Sequence, residues 1–193
     1  MNFSAVILAG GKSSRMGRDK ARLEVGGQTL LARQIQLARE AGATEVFLSG
    51  RAETDYSEFG CRVLPDKYVD AGPLAGIERA LNATNSHQLL VLAVDLPEMK
   101  ADLLKRLLAN CSENAGVIPH LNGNLEPLAA IYPKSSHPLV EVLLGGGNNA
   151  VVNFARRCVE SDLARFLELS ADDAGCFTNW NSPADLASTA MNR

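Results

Sequence analysis

Hydrophobic residues form short continuous runs that alternate along the chain with segments of helical periodicity. The runs predict strands at residues 3–9, 45–49, 61–64, 88–94, 115–119 and 125–132. Apolar positions at helical spacing predict helices over residues 29–41, 73–83, 101–110, 138–144 and 150–157. This alternation is typical of an α/β fold with a doubly wound, mostly parallel, Rossmann-like sheet.

One pair of predicted strands departs from the parallel pattern. Residues 115–119 and 125–132 flank Asn122-Gly123, a dipeptide that favours a tight hairpin turn. We therefore expect a small antiparallel addition to the sheet. Beyond residue 135 the pattern weakens, and residues 160–175 predict no element. Because no repeat or long linker interrupts the chain, we expect one domain over residues 1–193.

Composition and charge limit the classes of function. The chain is 46% hydrophobic with a net charge of −3, which argues against a protein that coats nucleic acid or an anionic membrane. Its apolar stretches are shorter than the ~20 residues of a membrane-spanning helix, and no basic residue precedes the first one, as it would in a secretory signal. The four cysteines are widely spaced, which favours reduced thiols. We expect a cytoplasmic protein.

The loop after the first predicted strand concentrates positive charge in an otherwise acidic chain. Residues 10–22 contain one acidic residue and five basic ones, Lys12, Arg15, Arg18, Lys20 and Arg22. The glycines Gly10 and Gly11 let backbone amides approach an oxyanion, and the basic side chains neutralise a phosphate chain. The loop predicts a polyphosphate site; the alternative is a basic surface loop.

A carboxylate follows the most apolar strand. Asp95 comes directly after residues 88–94, and open parallel sheets bind ligands at the carboxyl ends of their strands. There it could hold Mg²⁺ through its oxygens while nucleotide phosphates supply further ligands. The alternative is that Asp95 caps the helix that follows Pro97.

A third candidate segment lies at residues 65–76. Asp66 follows a short strand, Gly72 permits a tight entry into a helix, and Gly76 could allow a ligand to approach closely. Simple turn chemistry is the alternative. The three histidines, His87, His120 and His137, are isolated in the sequence and show neither triad nor metal-ligand spacing.

Seven motifs occur together over nearly the whole chain. They are Leu8-Ala9-Gly10-Gly11, Arg15-Met16-Gly17, Asp19-Lys20, Gly72-Pro73-Leu74-Ala75-Gly76, Val94-Asp95-Leu96-Pro97, Glu126-Pro127-Leu128 and Asn179-Trp180-Asn181-Ser182-Pro183. In this order the motifs resemble those of the nucleotidyltransferases of nucleotide-diphospho-sugar transferase type, which share a glycosyltransferase-A-like fold. Within that superfamily the chain is most similar to the molybdenum cofactor guanylyltransferases.

The resemblance implies a reaction and its substrates. GMP would pass from GTP to the phosphate of molybdenum-bound molybdopterin, with Mg²⁺ as cofactor and pyrophosphate as the second product. The alternatives are a relative that uses CTP or another phosphorylated acceptor, and a non-catalytic nucleotide-binding subunit of cofactor delivery. Transient contacts with proteins of cofactor synthesis or molybdoenzyme maturation would follow from the same resemblance.

The resemblance also implies roles for individual residues. The catalytic residues would be Lys20, Arg15 and Asp95, with Asp95 holding the metal. Nucleotide contacts would fall on Leu8, Ala9, Gly10, Gly11, Lys20, Ser49, Asp66 and Asp95. Acceptor contacts would fall on Gly72, Gly76, Asn179 and Asn181. The Asp66 carboxylate could accept hydrogen bonds from guanine N1–H and the exocyclic amine, which cytosine cannot reproduce, and Ser49 stands where the family often has Asn.

Overall fold

A computed structural model describes residues 2–10, 20–50, 54–68 and 70–180 of the chain. Its strands are β1 (Phe3–Leu8), β2 (Glu24–Val25), β3 (Gln28–Thr29), β4 (Glu45–Ser49), β5 (Arg62–Leu64), β6 (Gln88–Ala93), β7 (Gly116–Leu121), β8 (Asn124–Leu125), β9 (Ala129–Pro133) and β10 (Ala164–Glu168). Its α-helices are α1 (Leu30–Glu40), α2 (Pro73–Ala83), α3 (Ala101–Ala109), α4 (His137–Gly145) and α5 (Val151–Glu160). Within these ranges no helix has the length and apolar character needed to cross a membrane.

The central sheet has the strand order β10-β7-β9-β6-β1-β4-β5, and β8 pairs with β7. Strands β5, β4, β1 and β6 are mutually parallel, whereas β9 runs antiparallel to both β6 and β7. The short strands β2 and β3 form a separate antiparallel hairpin. The predicted mostly parallel sheet with an antiparallel addition is therefore confirmed.

Both faces of the sheet are covered by helices. Side chains of β1 alternate between the two faces, so that Ala5 and Ile7 join one apolar cluster while Val6 and Leu8 join the other. The first cluster includes residues of α1 and α3, and the second includes residues of α2, α4 and α5. Because β1 and β6 are buried on both faces, they lack polar alternation and read as continuous apolar runs.

The central sheet differs from the predicted strands in two places, and the β2–β3 hairpin outside it was not predicted. The expected strand at residues 125–132 is divided into β8 and β9, because a turn in which the Ala129 amide donates to the Glu126 carbonyl interrupts it. Strand β10 lies in the segment that predicted no element, where it pairs with β7 at the sheet edge. Only Ala164 of this strand is buried, so its sequence carries no apolar run.

Candidate active site

The carboxyl ends of four parallel strands, β1, β4, β5 and β6, bring candidate residues together on one side of the sheet. Leu8 pairs with Ser49 in β4 and with Ala93 in β6, so the ends of these three parallel strands are level. Asp66 follows β5, which pairs with the end of β4, and Asp95 follows β6. The parallel register therefore brings together residues that lie up to 87 positions apart in the sequence.

The backbone after β1 is fixed against β4. The Ala9 and Gly10 amides both donate to the Ser49 carbonyl, at 2.8 and 3.0 Å, and the Val94 amide donates to the Leu8 carbonyl at 3.2 Å. The Ala9 and Gly10 amides therefore already donate hydrogen bonds within the fold. A phosphate cradle of free amides would have to lie later in the loop, from Gly11 onward, which is outside the described residues.

Asp95 lies beside a lysine from the start of the chain. Lys20 begins a short 3₁₀ helix, and its Nζ is 3.4 Å from Asp95 Oδ2, with both side chains about one-fifth to one-quarter exposed. The alternative role as a helix cap is wrong, because α3 begins at Ala101 after Lys100 and no side chain caps it. The Asp95 carboxylate therefore faces Lys20 and does not cap α3.

The basic residues after β1 do not all face this site. Arg22 donates from Nη2 to the Asp55 carbonyl at 2.7 Å and pairs with Glu58 at 2.9 Å, so it stabilises a surface turn. Arg15, with Lys12 and Arg18, lies outside the described residues. Of the predicted phosphate contacts, Lys20 is the one that the described structure brings to Asp95.

Asp66 and Ser49 form a polar pair on the other side of β1. Ser49 is buried, and its Oγ donates to Asp66 Oδ1 at 3.5 Å, a long hydrogen bond. Desolvation raises the pKa of the Asp66 carboxyl, and the opposing hydrogen bond and the charge of Arg79 are weaker effects. A carboxylate that is partly stripped of water has a strong tendency to accept hydrogen bonds from a ligand.

The two glycines of the α2 segment have different environments. Gly72 precedes the helix at φ 67°, a conformation that favours glycine, and Pro73 follows in the first turn. Gly76 is buried, and a Cβ there would lie only 2.2 Å from Ser49 Oγ. Gly76 therefore lets α2 pack closely on β4, a role that sequence reasoning did not assign; acceptor contact at Gly72 or Gly76 stays a prediction.

The C-terminal motif also reaches this edge. The Trp180 amide donates to the Asp95 carbonyl at 3.0 Å, which places the exposed residue Asn179 next to the Asp95 backbone. Asn181 lies outside the described residues. The hydrogen bond links the chain end to the carboxylate that the metal prediction rests on.

The sequence predicts no role for Glu126, although this residue belongs to the Glu126-Pro127-Leu128 motif. The Ala93 amide donates to the Leu128 carbonyl at 2.8 Å, so the turn before β9 lies beside the end of β6. Burial raises the pKa of the Glu126 carboxyl. Its position became apparent only when the antiparallel pairing of β6 and β9 was known.

The donor set at this edge fits Mg²⁺ bound together with a nucleotide. Mg²⁺ usually keeps several waters and takes one or two carboxylates plus phosphate oxygens. Asp95 supplies one partly exposed carboxylate at the strand end, and Lys20 supplies a cation for phosphate oxygens at the same place. Such a site is assembled with its substrate and does not need an all-protein cage.

Comparison with known proteins identifies the family. A model described as the MobA-like NTP transferase domain matches residues 5–161. The chain is 39% identical to the probable molybdenum cofactor guanylyltransferase of Opitutus terrae, over 95% of this chain and 92% of the relative. It is 32% identical to the molybdenum cofactor guanylyltransferase of Shewanella baltica, over 98% and 96%.

Solved structures share the fold. Molybdopterin-guanine dinucleotide biosynthesis protein A from Archaeoglobus fulgidus superposes with a TM-score of 0.76 at 22% identity, covering 97% of each chain. The 2-C-methyl-D-erythritol 4-phosphate cytidylyltransferase from Thermus thermophilus superposes with a TM-score of 0.72 at 19% identity, covering 99% of this chain and all of the other. From its sequence relatives and the matching domain model, the chain belongs to the MobA-like NTP transferase family.

Proposed function

We propose that this chain transfers GMP from GTP to molybdenum-bound molybdopterin and releases pyrophosphate. The observation that supports it best is the arrangement at the sheet edge, where Lys20 and Asp95 face one another beyond β1 and Asp66 lies beyond β5. The Opitutus terrae and Shewanella baltica relatives, both named as molybdenum cofactor guanylyltransferases, match 95% and 98% of this chain. Together these features favour a complete nucleotidyltransferase site over a degenerate nucleotide-binding subunit.

The proposed reaction requires little acid-base catalysis. A phosphate oxygen of the acceptor attacks the α-phosphorus of GTP, and the bond from that phosphorus to the bridging oxygen breaks, so pyrophosphate leaves with the electron pair. The acceptor phosphate is already an anion, so no strong general base is needed. Catalysis then rests on in-line positioning and on neutralising charge at the α-phosphate and the leaving group.

The described residues divide these tasks. The Lys20 ammonium would contact phosphate oxygens and stabilise the charge that develops as pyrophosphate leaves. Asp95 would hold Mg²⁺, which supplies charge neutralisation to the phosphates when bound. Arg15 would add a further cationic contact from the loop after β1. The acceptor would approach the side of the site bounded by Gly72 and Asn179.

Base recognition would depend on Asp66. Guanine presents two neighbouring donors, N1–H and the exocyclic amine, which a carboxylate can accept together, whereas cytosine offers no matching pair. Adenine presents an acceptor at the corresponding position. Ser49 would orient the Asp66 carboxylate through its hydroxyl, and the closed backbone at Leu8, Ala9 and Gly10 would form the wall against which the base lies.

The proposed function predicts the outcome of a nucleotide panel. Pyrophosphate release is measured with Mg²⁺ and each of GTP, CTP, ATP and UTP, with and without molybdenum-loaded molybdopterin. We expect release with GTP that requires both the acceptor and Mg²⁺. Release with CTP would instead indicate the cytidylyl alternative. Binding of GTP without release would remove the acceptor assignment, and absence of nucleotide binding would remove the transferase proposal.

Asp66→Asn is expected to reduce kcat/KM for GTP by about 10- to 100-fold, because a charge-assisted hydrogen bond contributes about 1.5–3 kcal/mol. The amide would also place a donor against a guanine donor, while any residual activity with CTP should be unchanged. Asp102→Asn, at an exposed position on α3, is the matched control. Equal losses for GTP and CTP would contradict a base-reading role.

The same residue predicts a pH dependence of GTP binding. Because burial raises the pKa of Asp66, the carboxyl gains its proton at a higher pH than an ordinary aspartate does. GTP affinity should therefore fall as the pH is lowered through that raised pKa and should be full above it. Titration of GTP affinity against pH tests this, and Asp66→Asn should lack this acidic limb.

A further inference from the structure

A second group of possible metal ligands lies between two helices on one face of the sheet. Glu78 is on α2, and His137 and Glu141 lie one turn apart on α4, which packs against α2. One donor atom from each of the three residues lies within 4.8 Å of the others. His137 and Glu78 are 59 positions apart, so sequence spacing gave no sign of this cluster.

The buried end of the cluster has an unsatisfied negative group. The Glu78 side chain is 1% exposed, and its Oε1 is 3.0 Å from His137 Nε2. Among the described residues, no group donates a hydrogen bond to Glu78 Oε2, which is also buried. Because a buried carboxylate oxygen without a partner is costly, this arrangement calls for a cation at the cluster.

A lysine pairs with the outer end of the cluster. Lys67 Nζ is 3.4 Å from Glu141 Oε1, and both side chains are about half exposed. His137 Nδ1 lies 3.7 Å from Glu141 Oε2, on the other side of the ring from Glu78. His137 thus contacts one oxygen of each glutamate, which leaves Glu78 Oε2 without a partner among the described residues.

The chemistry of the three donors selects among metals. Imidazole nitrogen and carboxylate oxygen are both ligand types that Zn²⁺ accepts, whereas Mg²⁺ prefers oxygen ligands alone. Bonds of about 2.0–2.1 Å would require ligand atoms about 3.3 Å apart in a tetrahedral site. Glu141 is 42% exposed on the helix surface and can rotate to close this distance. The fourth position would face solvent.

We propose that Glu78, His137 and Glu141 bind a divalent transition-metal cation of the zinc type. The cation would neutralise Glu78 and join α2 to α4. A ligand that binds only the folded chain stabilises it by mass action, so zinc should also raise the midpoint of thermal unfolding. The proposal concerns a different face of α2 from Gly76 and does not depend on the transferase reaction.

Zinc binding to the metal-free, full-length chain tests the proposal by calorimetry. We expect one strong Zn²⁺ equivalent, and at least about tenfold weaker binding in Glu141→Gln and in His137→Gln, since even indirect changes around a metal cost about 10–100-fold. His120→Gln is the matched control, because His120 also contacts a glutamate, Glu168, at an exposed position, and the described part of the chain places no third metal-ligating group beside them. Its affinity and its zinc-induced thermal shift should equal those of the wild type.

Two further measurements separate this site from other metal-binding groups. Asp95→Asn should retain the strong zinc equivalent, because Asp95 belongs to the nucleotide site. With Co²⁺ as the probe, the absorption spectrum should show no thiolate charge-transfer band. The visible bands should be lost in Glu141→Gln, an isosteric change at a partly exposed position that we expect to keep the fold. Three results would overturn the proposal. They are failure of the wild type to bind zinc, binding of zinc by both cluster variants with wild-type affinity, and a thiolate band from the free cysteines.

Discussion

Asp95→Asn is expected to lower the rate of nucleotidyl transfer by about 10²–10³-fold, the usual cost of removing one group that stabilises transition-state charge. The amide keeps the size of the side chain but loses the charge that would hold Mg²⁺ and that faces Lys20 Nζ at 3.4 Å. The measurements are kcat from pyrophosphate release at saturating GTP, and GTP affinity by calorimetry.

Stability should change little in this variant, because an amide oxygen can still accept the hydrogen bond from Lys20 Nζ and the Trp180 amide bonds to the Asp95 backbone and not to its carboxylate. We expect a change in the free energy of unfolding of less than about 1 kcal/mol. Asp172→Asn, at an exposed position, is the control for loss of a negative charge. A transfer rate within twofold of the wild type would exclude the proposed metal role of Asp95.

Gly76→Ala should destabilise the protein by about 2 kcal/mol, within the range of overpacking effects. Its new methyl group would lie 2.2 Å from Ser49 Oγ, 2.7 Å from Ser49 Cβ and 3.0 Å from Leu8 Cδ2. Alanine normally favours a helix over glycine by about 1 kcal/mol, so a net loss can arise only from this contact. Urea unfolding should show a lower midpoint with an unchanged slope. Because Ser49 and Leu8 must move, GTP affinity should fall as well.

Two companion variants identify the cause of that loss. Gly145→Ala, where a Cβ meets nothing within 4 Å and φ is not positive, should be neutral or stabilising. Adding Ser49→Gly to Gly76→Ala removes both colliding Ser49 atoms and should restore most of the stability that the single variant loses. If the double variant is as unstable as the sum of its parts, the close approach of α2 to β4 is not the reason.

Much of the fold follows from local pattern alone. Nearly continuous apolar runs predict β1, β4 and β6 because strands buried on both faces need apolar side chains at most positions. The Asn122-Gly123 hairpin is confirmed, with positive φ at both residues, because few other residues adopt that turn without strain. Strand β10 could not be predicted in this way, since an exposed edge strand owes its place to backbone pairing with β7 and not to its side chains.

The sequence by itself determined which chemical groups are available: a basic glycine loop, a carboxylate after the most apolar strand, and Asp66 after another. Only the tertiary structure decided which of them meet. In the folded chain Lys20 contacts Asp95, whereas Arg22 pairs with Glu58. Gly76 lets α2 pack on β4, and Glu78 contacts His137. The physical reason is that side-chain identity is local, whereas distance depends on strand register and helix packing between segments far apart in the chain.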